Sequence, residues 1–312
     1  MIVSASRRTD IPAFYSEWLM NRLREGYALV QNPGNPHRFS RVRLDPQAVD
    51  CIVFWTKDPA PILPKLGEIS AMGYPFYFQF TLTPYGRDLE PNLPPKADLM
   101  RTFQRLGEAL GPERVVWRYD PVVFTDRMDI AYHLRCFEKM AALLEGRTRR
   151  CIFSFLDLYP GVRRALRGIP VREIREEDMR RIAEGFSETA RKHRLRLFTC
   201  CEPADLGRYG AAHASCIDAS MIEDILGCPV RFKKDAGQRP GCGCMQSVDI
   251  GAYDCCPHGC RYCYAASSPG AVRKNAAAHD PKSPLLFGTL PEDATVAERN
   301  AATVKDMQMR LL

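Results

Sequence analysis

The sequence predicts an α/β protein, a complete or partial (β/α) barrel of the TIM type. Short β-branched and aromatic runs alternate with amphipathic helical segments, an order that calls for parallel strands joined by crossover helices. Six or seven such units in about 250 residues are what a barrel uses. A chain of 312 residues, 46% hydrophobic, has the apolar mass for one large core. A doubly wound open sheet is the alternative that element order leaves open.

The elements follow from apolar periodicity. Strands are expected at Ile2–Ala5, Cys51–Thr56, Pro75–Thr83, Arg114–Tyr119, Cys151–Leu156, Leu195–Cys200 and Ser247–Tyr253. Helices are expected at Tyr15–Glu25, Ala60–Met72, Ala97–Leu110, Ile130–Leu144, Glu177–His193 and Ser220–Leu226, with a last one at Thr295–Leu311. In the fourth, Ile130, Leu134, Phe137, Ala141 and Leu144 make one stripe. Residues 27–44 read as an inserted hairpin. Residues 1–269 form one barrel-like domain with a cysteine-rich loop at 255–264, and residues 270–312 an extension ending in a helix.

Composition excludes several classes. With 26% charged residues, 21 glycines and 24 prolines, the chain is neither disordered nor collagen-like. No run of about 18 apolar residues exists, and MIVSASRRTDI is too short for a secretory signal. The expectation is a cytoplasmic protein without membrane partners. A net charge of +7 suits an anionic ligand or nucleic acid and is weak support for either.

The 13 cysteines are unevenly placed: ten lie between Cys200 and Cys263, where an even spread would put roughly 3. Reduced thiols crowded in this way hold metal. Cys256-x3-Cys260-x2-Cys263 is the sharpest signal. Three thiolates in a short loop each bind one iron of a [4Fe–4S] cube and leave the fourth iron open, and Gly259 lets the backbone bend around it. A zinc site completed by His258 or Cys255 is the competing reading. Cys200, Cys216, Cys242 and Cys244 form a second group that would close another cube or a zinc tetrahedron, against the plainer reading of four unconnected buried thiols. Cys201, Cys228 and Cys255 are spare candidates, while Cys51, Cys136 and Cys151 belong to core patterns.

In a barrel, polar residues just past the strands share one mouth. Arg7, Arg8, Lys57, Arg118, Lys233, Lys234 and Arg239 would favour a phosphate or carboxylate there. Asp10, Asp58, Asp120, Asp235 and Glu202 would instead neutralise them as ion pairs.

The triplet, with Tyr262 before its third cysteine, resembles radical S-adenosylmethionine (SAM) enzymes, and GCRYCYA resembles the spore photoproduct lyase branch. The strings SASRRTDIPAFY, VDCIVFWTKDP, FQFTLTPYGRDLEPNLP, WRYDPVVF, SFLDLYP, TCCEPADL, CIDAS, KKDAGQRPGCGC and DIGAYDCCPHGCRYCYA resemble the bacterial domain-of-unknown-function 1848 family. The radical SAM resemblance implies a cluster whose open iron chelates SAM, a 5′-deoxyadenosyl radical that takes hydrogen from the substrate, and an electron donor such as flavodoxin or ferredoxin. It supplies no substrate and no catalytic residue. The motif normally follows the first barrel strand, whereas here it follows the last, as if the barrel were circularly permuted with Ser247–Tyr253 in first place and Ile2–Ala5 in second. The usual Gly-Gly-Glu contact to the SAM amine is missing; Thr9 or Asp10 would replace it. Glu202 is a further candidate for the amine, Asp120 for the ribose, and Arg118 and Tyr262 complete the expected SAM neighbours. The competing functions are base repair or modification of nucleic acid by the same chemistry, and a non-enzymatic zinc protein.

Overall fold

The computed structural model describes residues 1–239 and 241–306. From the N-terminus, β1 (Ile2–Ala5) leads through α1 (Ile11–Phe14) and α2 (Ser16–Glu25) into a hairpin, β2 (Tyr27–Asn32) and β3 (Asn35–Arg43). Then come β4 (Cys51–Thr56), α3 (Leu66–Ala71), β5 (Phe76–Thr81), α4 (Lys96–Leu110), β6 (Val115–Val122), α5 (Ile130–Leu143) and β7 (Arg150–Phe155). The remainder is α6 (Pro160–Ala165), α7 (Glu176–Lys192), β8 (Arg196–Thr199), β9 (Ala212–His213), α8 (Ala219–Leu226), β10 (Val248–Asp249), α9 (Pro269–Ala277) and β11 (Thr295–Glu298).

Eight strands form one sheet in the order β10-β1-β4-β5-β6-β7-β8-β9, and every pairing is parallel. From β1 to β9 the order follows the chain, and β10 then stands on the other side of β1. β9 and β10 are its edges and do not pair with each other, so hydrogen bonding does not close a barrel. The α/β class and the parallel sheet hold; closure does not appear among the described residues.

Alternation along the strands separates two faces. Val3, Ala5, Phe54, Phe76, Phe78, Phe80, Trp117, Phe153 and Leu197 point to the main helices, where they meet Trp18, Phe103, Phe137 and Phe186. Trp117 stacks on Phe137 at 4.8 Å, and Phe137 on Phe186 at 3.9 Å. The other face carries Ile2, Cys51, Val53, Tyr77, Val116 and Ile152, covered by Ile217, Met245 and α8 through Met221 and Ile222. Cys200, Cys216, Cys242 and Cys244 pack on this second face, whereas Cys255 and Cys260 pack with the first. Charge placement explains the helix ends: α7 starts with Glu176, Glu177 and Asp178 and ends with Arg191 and Lys192, matching the helix dipole. Asp129 caps α5 by accepting from Tyr132 N at 2.8 Å.

His133 on α5 is buried, with Nδ1 2.8 Å from the Tyr119 hydroxyl and Nε2 2.9 Å from the Val123 carbonyl. Burial, partly offset by that carbonyl, pushes its pKa down to about 4. The unfolded chain therefore takes up the proton first as pH falls. Stability is expected to drop by about 3 kcal/mol between pH 6.5 and 4 through this residue, a loss absent from His133→Gln when both are unfolded in urea across that range.

Several elements differ from the sequence reading. The helix expected at Ala60–Met72 is a 3₁₀ turn at Leu63–Lys65 followed by the short α3, because Pro61 and Pro64 remove backbone donors. The helix expected at Thr295–Leu311 is absent through residue 306: Thr295–Glu298 is β11, which pairs parallel with Arg38–Arg41 of β3, and residues 307–312 lie outside the described residues. The hairpin at 27–44 is present. The extension packs back on the main domain, with Trp18 Nε1 donating to the Ser283 carbonyl at 3.0 Å and Asp50 accepting from Thr303 Oγ1 at 2.7 Å.

Candidate functional site

The cysteine-rich turn leaves β10 at the sheet edge, beside β1. Asp249 binds the two together, accepting from Ser4 Oγ at 2.8 Å, Ser6 Oγ at 2.6 Å and Arg7 N at 2.8 Å. The turn then grips residues 89–92: Arg261 N donates to the Leu89 carbonyl at 2.9 Å, and Asn92 Nδ2 to the Pro257 carbonyl at 2.8 Å. Gly259 sits at φ +69°, and an added Cβ would lie 3.0 Å from Asn92 Nδ2. Only glycine meets both conditions without strain.

Cys256, Cys260 and Cys263 lie close enough to influence one another's ionisation. Burial raises all three thiols, Cys260 to about 12 against the pull of Lys57. Backbone N–H groups point at the sulfurs: Ala265 N lies 3.4 Å from Cys263 Sγ, and His258 N donates to Cys256. Such N–H···S contacts favour thiolates and tune iron–sulfur centres. His258 turns instead to Asp10, Nε2 to Oδ2 at 2.8 Å, and Cys255 donates to the Ala252 carbonyl at 3.0 Å. Among the described residues, no three His, Cys, Asp or Glu side chains converge as ligands of a single ion.

Tyr262, between the second and third cysteines, points inward. Its hydroxyl meets Glu90 and lies 2.9 Å from Lys57 Nζ. Glu90 is the hub of this corner, accepting from Lys57 at 2.7 Å, Thr83 Oγ1 at 2.7 Å and Lys96. Burial alone would raise its pKa; Lys57 and Lys96 outweigh that and hold it at about 2. The sequence reading did not single out Glu90, although it lies within the string FQFTLTPYGRDLEPNLP.

The other expected residues separate. Asp10 caps α1 through Ala13 N at 3.0 Å and accepts from Lys57 N at 2.6 Å, so its oxygens are already engaged. Thr9 is buried beside Gly251. Arg118 and Asp120 pair on β6, and Ser154 Oγ also donates to Asp120. Arg7 pairs with Asp235 at 3.6 Å, and Arg239 with Asp157 at 2.5 Å. Ion pairing thus accounts for much of the mouth's charge, with Glu90 rather than Asp58 as the partner of Lys57. Glu202 accepts from Phe155 N at 2.8 Å, and burial raises its pKa to about 7.

The second cysteine group is brought together. Cys200 at the end of β8 has its sulfur 3.0 Å from that of Cys216, and Cys244 and Cys242 lie close enough to influence the group's ionisation. Cys228, beyond α8, and Cys255 stay outside it; Cys51 and Cys151 are core, as expected.

A family model described as a domain of unknown function, DUF1848, matches residues 2–265, spanning the sheet and both cysteine groups and ending just past the turn. The chain belongs to the DUF1848 family. No curated protein matches this DUF1848 chain significantly. No helix among its described residues is long and apolar enough to cross a membrane.

Proposed function

We propose that this DUF1848 protein is an iron–sulfur enzyme of the radical SAM type, acting by hydrogen abstraction on a small, anionic substrate. The observation that carries the reading is the turn itself. Three half-buried thiols stand close together around a left-handed glycine, with backbone N–H groups on two of the sulfurs. The donor set fits a cube with one open iron. When bound, such a cluster supplies one electron to the sulfonium of SAM and so gives rise to the 5′-deoxyadenosyl group that removes hydrogen from substrate.

The fold supports the same reading. β10 flanks β1 at the sheet edge, so the turn leaves the place where a first strand would stand in a circularly permuted partial barrel. Tyr262, Lys57 and Glu90 fix the third cysteine's arm, and their mutual ion pairing keeps the corner rigid. Asp10 serves the turn by holding His258, and is set aside as the acceptor for the SAM amine. Glu202 remains the candidate for that amine. A net charge of +7 suits an anionic substrate, although Arg7 and Arg118, each 5.2 Å from the Trp55 ring centroid, are already engaged by Asp235 and Asp120. The electron donor belongs to the flavodoxin or ferredoxin class.

The test is electron paramagnetic resonance of the anaerobically purified, dithionite-reduced protein. Adding SAM is expected to change the cluster signal, because SAM binds the open iron. An unchanged spectrum at saturating SAM would contradict the reading.

A further inference from the structure

We propose that Cys200, Cys216, Cys242 and Cys244 hold a second, closed [4Fe–4S] centre, with Arg118 and Arg7 as its counter-charges. The inference does not depend on SAM chemistry at the other turn. Three separate segments deliver the four thiols: the end of β8, the loop before α8, and the Cys242-Gly243-Cys244 turn. The loop before α8 and the Cys242–Cys244 turn are each held in place by side-chain bonds. The Cys216 carbonyl accepts from Tyr77 Oη at 2.8 Å and Gln79 Nε2 at 2.7 Å, both reaching up from β5. Ser215 Oγ donates to the Gly243 carbonyl at 2.6 Å, and a Cβ on Gly243 would lie 2.8 Å from that oxygen. Ile217 N points at Cys244 Sγ at 3.4 Å, an N–H···S contact of the kind found at the first turn.

The charges distinguish a centre from four inert thiols. Arg118, 5% exposed, places Nη1 2.8 Å from Cys216 Sγ. A neutral thiol is a weak acceptor, whereas a thiolate is a strong partner for a buried guanidinium. Arg7 approaches the same group, close to Cys244 and Cys216. The sulfurs run in a chain from Cys200 through Cys216 and Cys244 to Cys242 rather than around one point. A cube gives each thiolate its own iron, so the four need not converge on one point as zinc ligands must. With all four corners taken, this centre leaves no iron open to SAM; it stores or relays an electron beside the open face.

The test counts iron, acid-labile sulfide and zinc in anaerobically purified full-length protein. Native protein is expected to hold about eight irons, and C256A/C260A/C263A about four irons with matching sulfide. C200S/C216S/C242S/C244S is expected to keep only the irons of the other turn. A native count near four that vanishes in C256A/C260A/C263A overturns the proposal, as does zinc without sulfide in that variant. A native count near four that survives there upholds it and sinks the radical SAM reading instead. If either variant fails to fold, the native protein decides: eight irons, only half of whose signal responds to SAM, supports the second centre. Arg118→Met is expected to lower the midpoint potential of the signal that ignores SAM, and Arg118→Lys to restore much of it; no shift in either would assign Arg118 to packing alone and overturn its role as a counter-charge.

Discussion

Replacing Cys256, Cys260 and Cys263 together by alanine is expected to remove about four irons per chain and to reduce SAM cleavage below detection. The size of the effect follows from the chemistry. Under the proposed function, electron delivery to SAM would pass through the open iron, and the three thiolates, each on one of the other irons, would hold the cluster in the chain. His258 and Cys255 cannot substitute readily, because His258 is bound to Asp10 and Cys255 to a backbone carbonyl. Iron counts and product chromatography on the same samples check both halves. Cys255→Ala serves as the control, and is expected to leave iron content unchanged.

Glu90→Ala is expected to cost about 3–5 kcal/mol, the largest single-site loss of stability near the site. Glu90 is 2% exposed and engages two lysines, Thr83 and Tyr262. Truncation leaves Lys57, itself mostly buried, as a cation without its counter-charge beneath the cysteine turn. Glu90→Gln should lose less, because an amide oxygen can still accept from Thr83 and Tyr262. The carboxyl is held at about 2 against an ordinary 4.5, so its contribution is complete above pH 4.5 and fades as pH falls toward 2. Urea midpoints of the three proteins at pH 7 and pH 4 measure both the loss and its acid dependence.

Much of the scaffold was legible because its strands are local apolar runs. Ile2–Ala5 and Cys51–Thr56 match β1 and β4 residue for residue, since each is a continuous β-branched or aromatic segment buried on both faces. Thr295–Glu298 misled because its alanines and charges suit a helix, while the partner that makes it a strand, β3, lies more than 250 residues away. α6 and α9 were missed although proline stands in the first turn of each, and Ser268 caps the second through Ala271 N at 3.1 Å. At the site, the two cysteine groups were visible because thiols are scarce and their spacing is informative. Glu90 was not, because part of its importance comes from Lys57 and Tyr262, 33 and 172 residues away, meeting it in space. Asp10 was visible as a polar residue after β1, but its engagement by His258 depends on the turn folding back 248 residues later.

The most direct measurement is anaerobic incubation of the reconstituted protein with dithionite and SAM, followed by quantitation of 5′-deoxyadenosine and methionine. The account predicts both products from the native protein and neither from the triple alanine variant. Native protein loaded with iron and sulfide that yields neither product would contradict it.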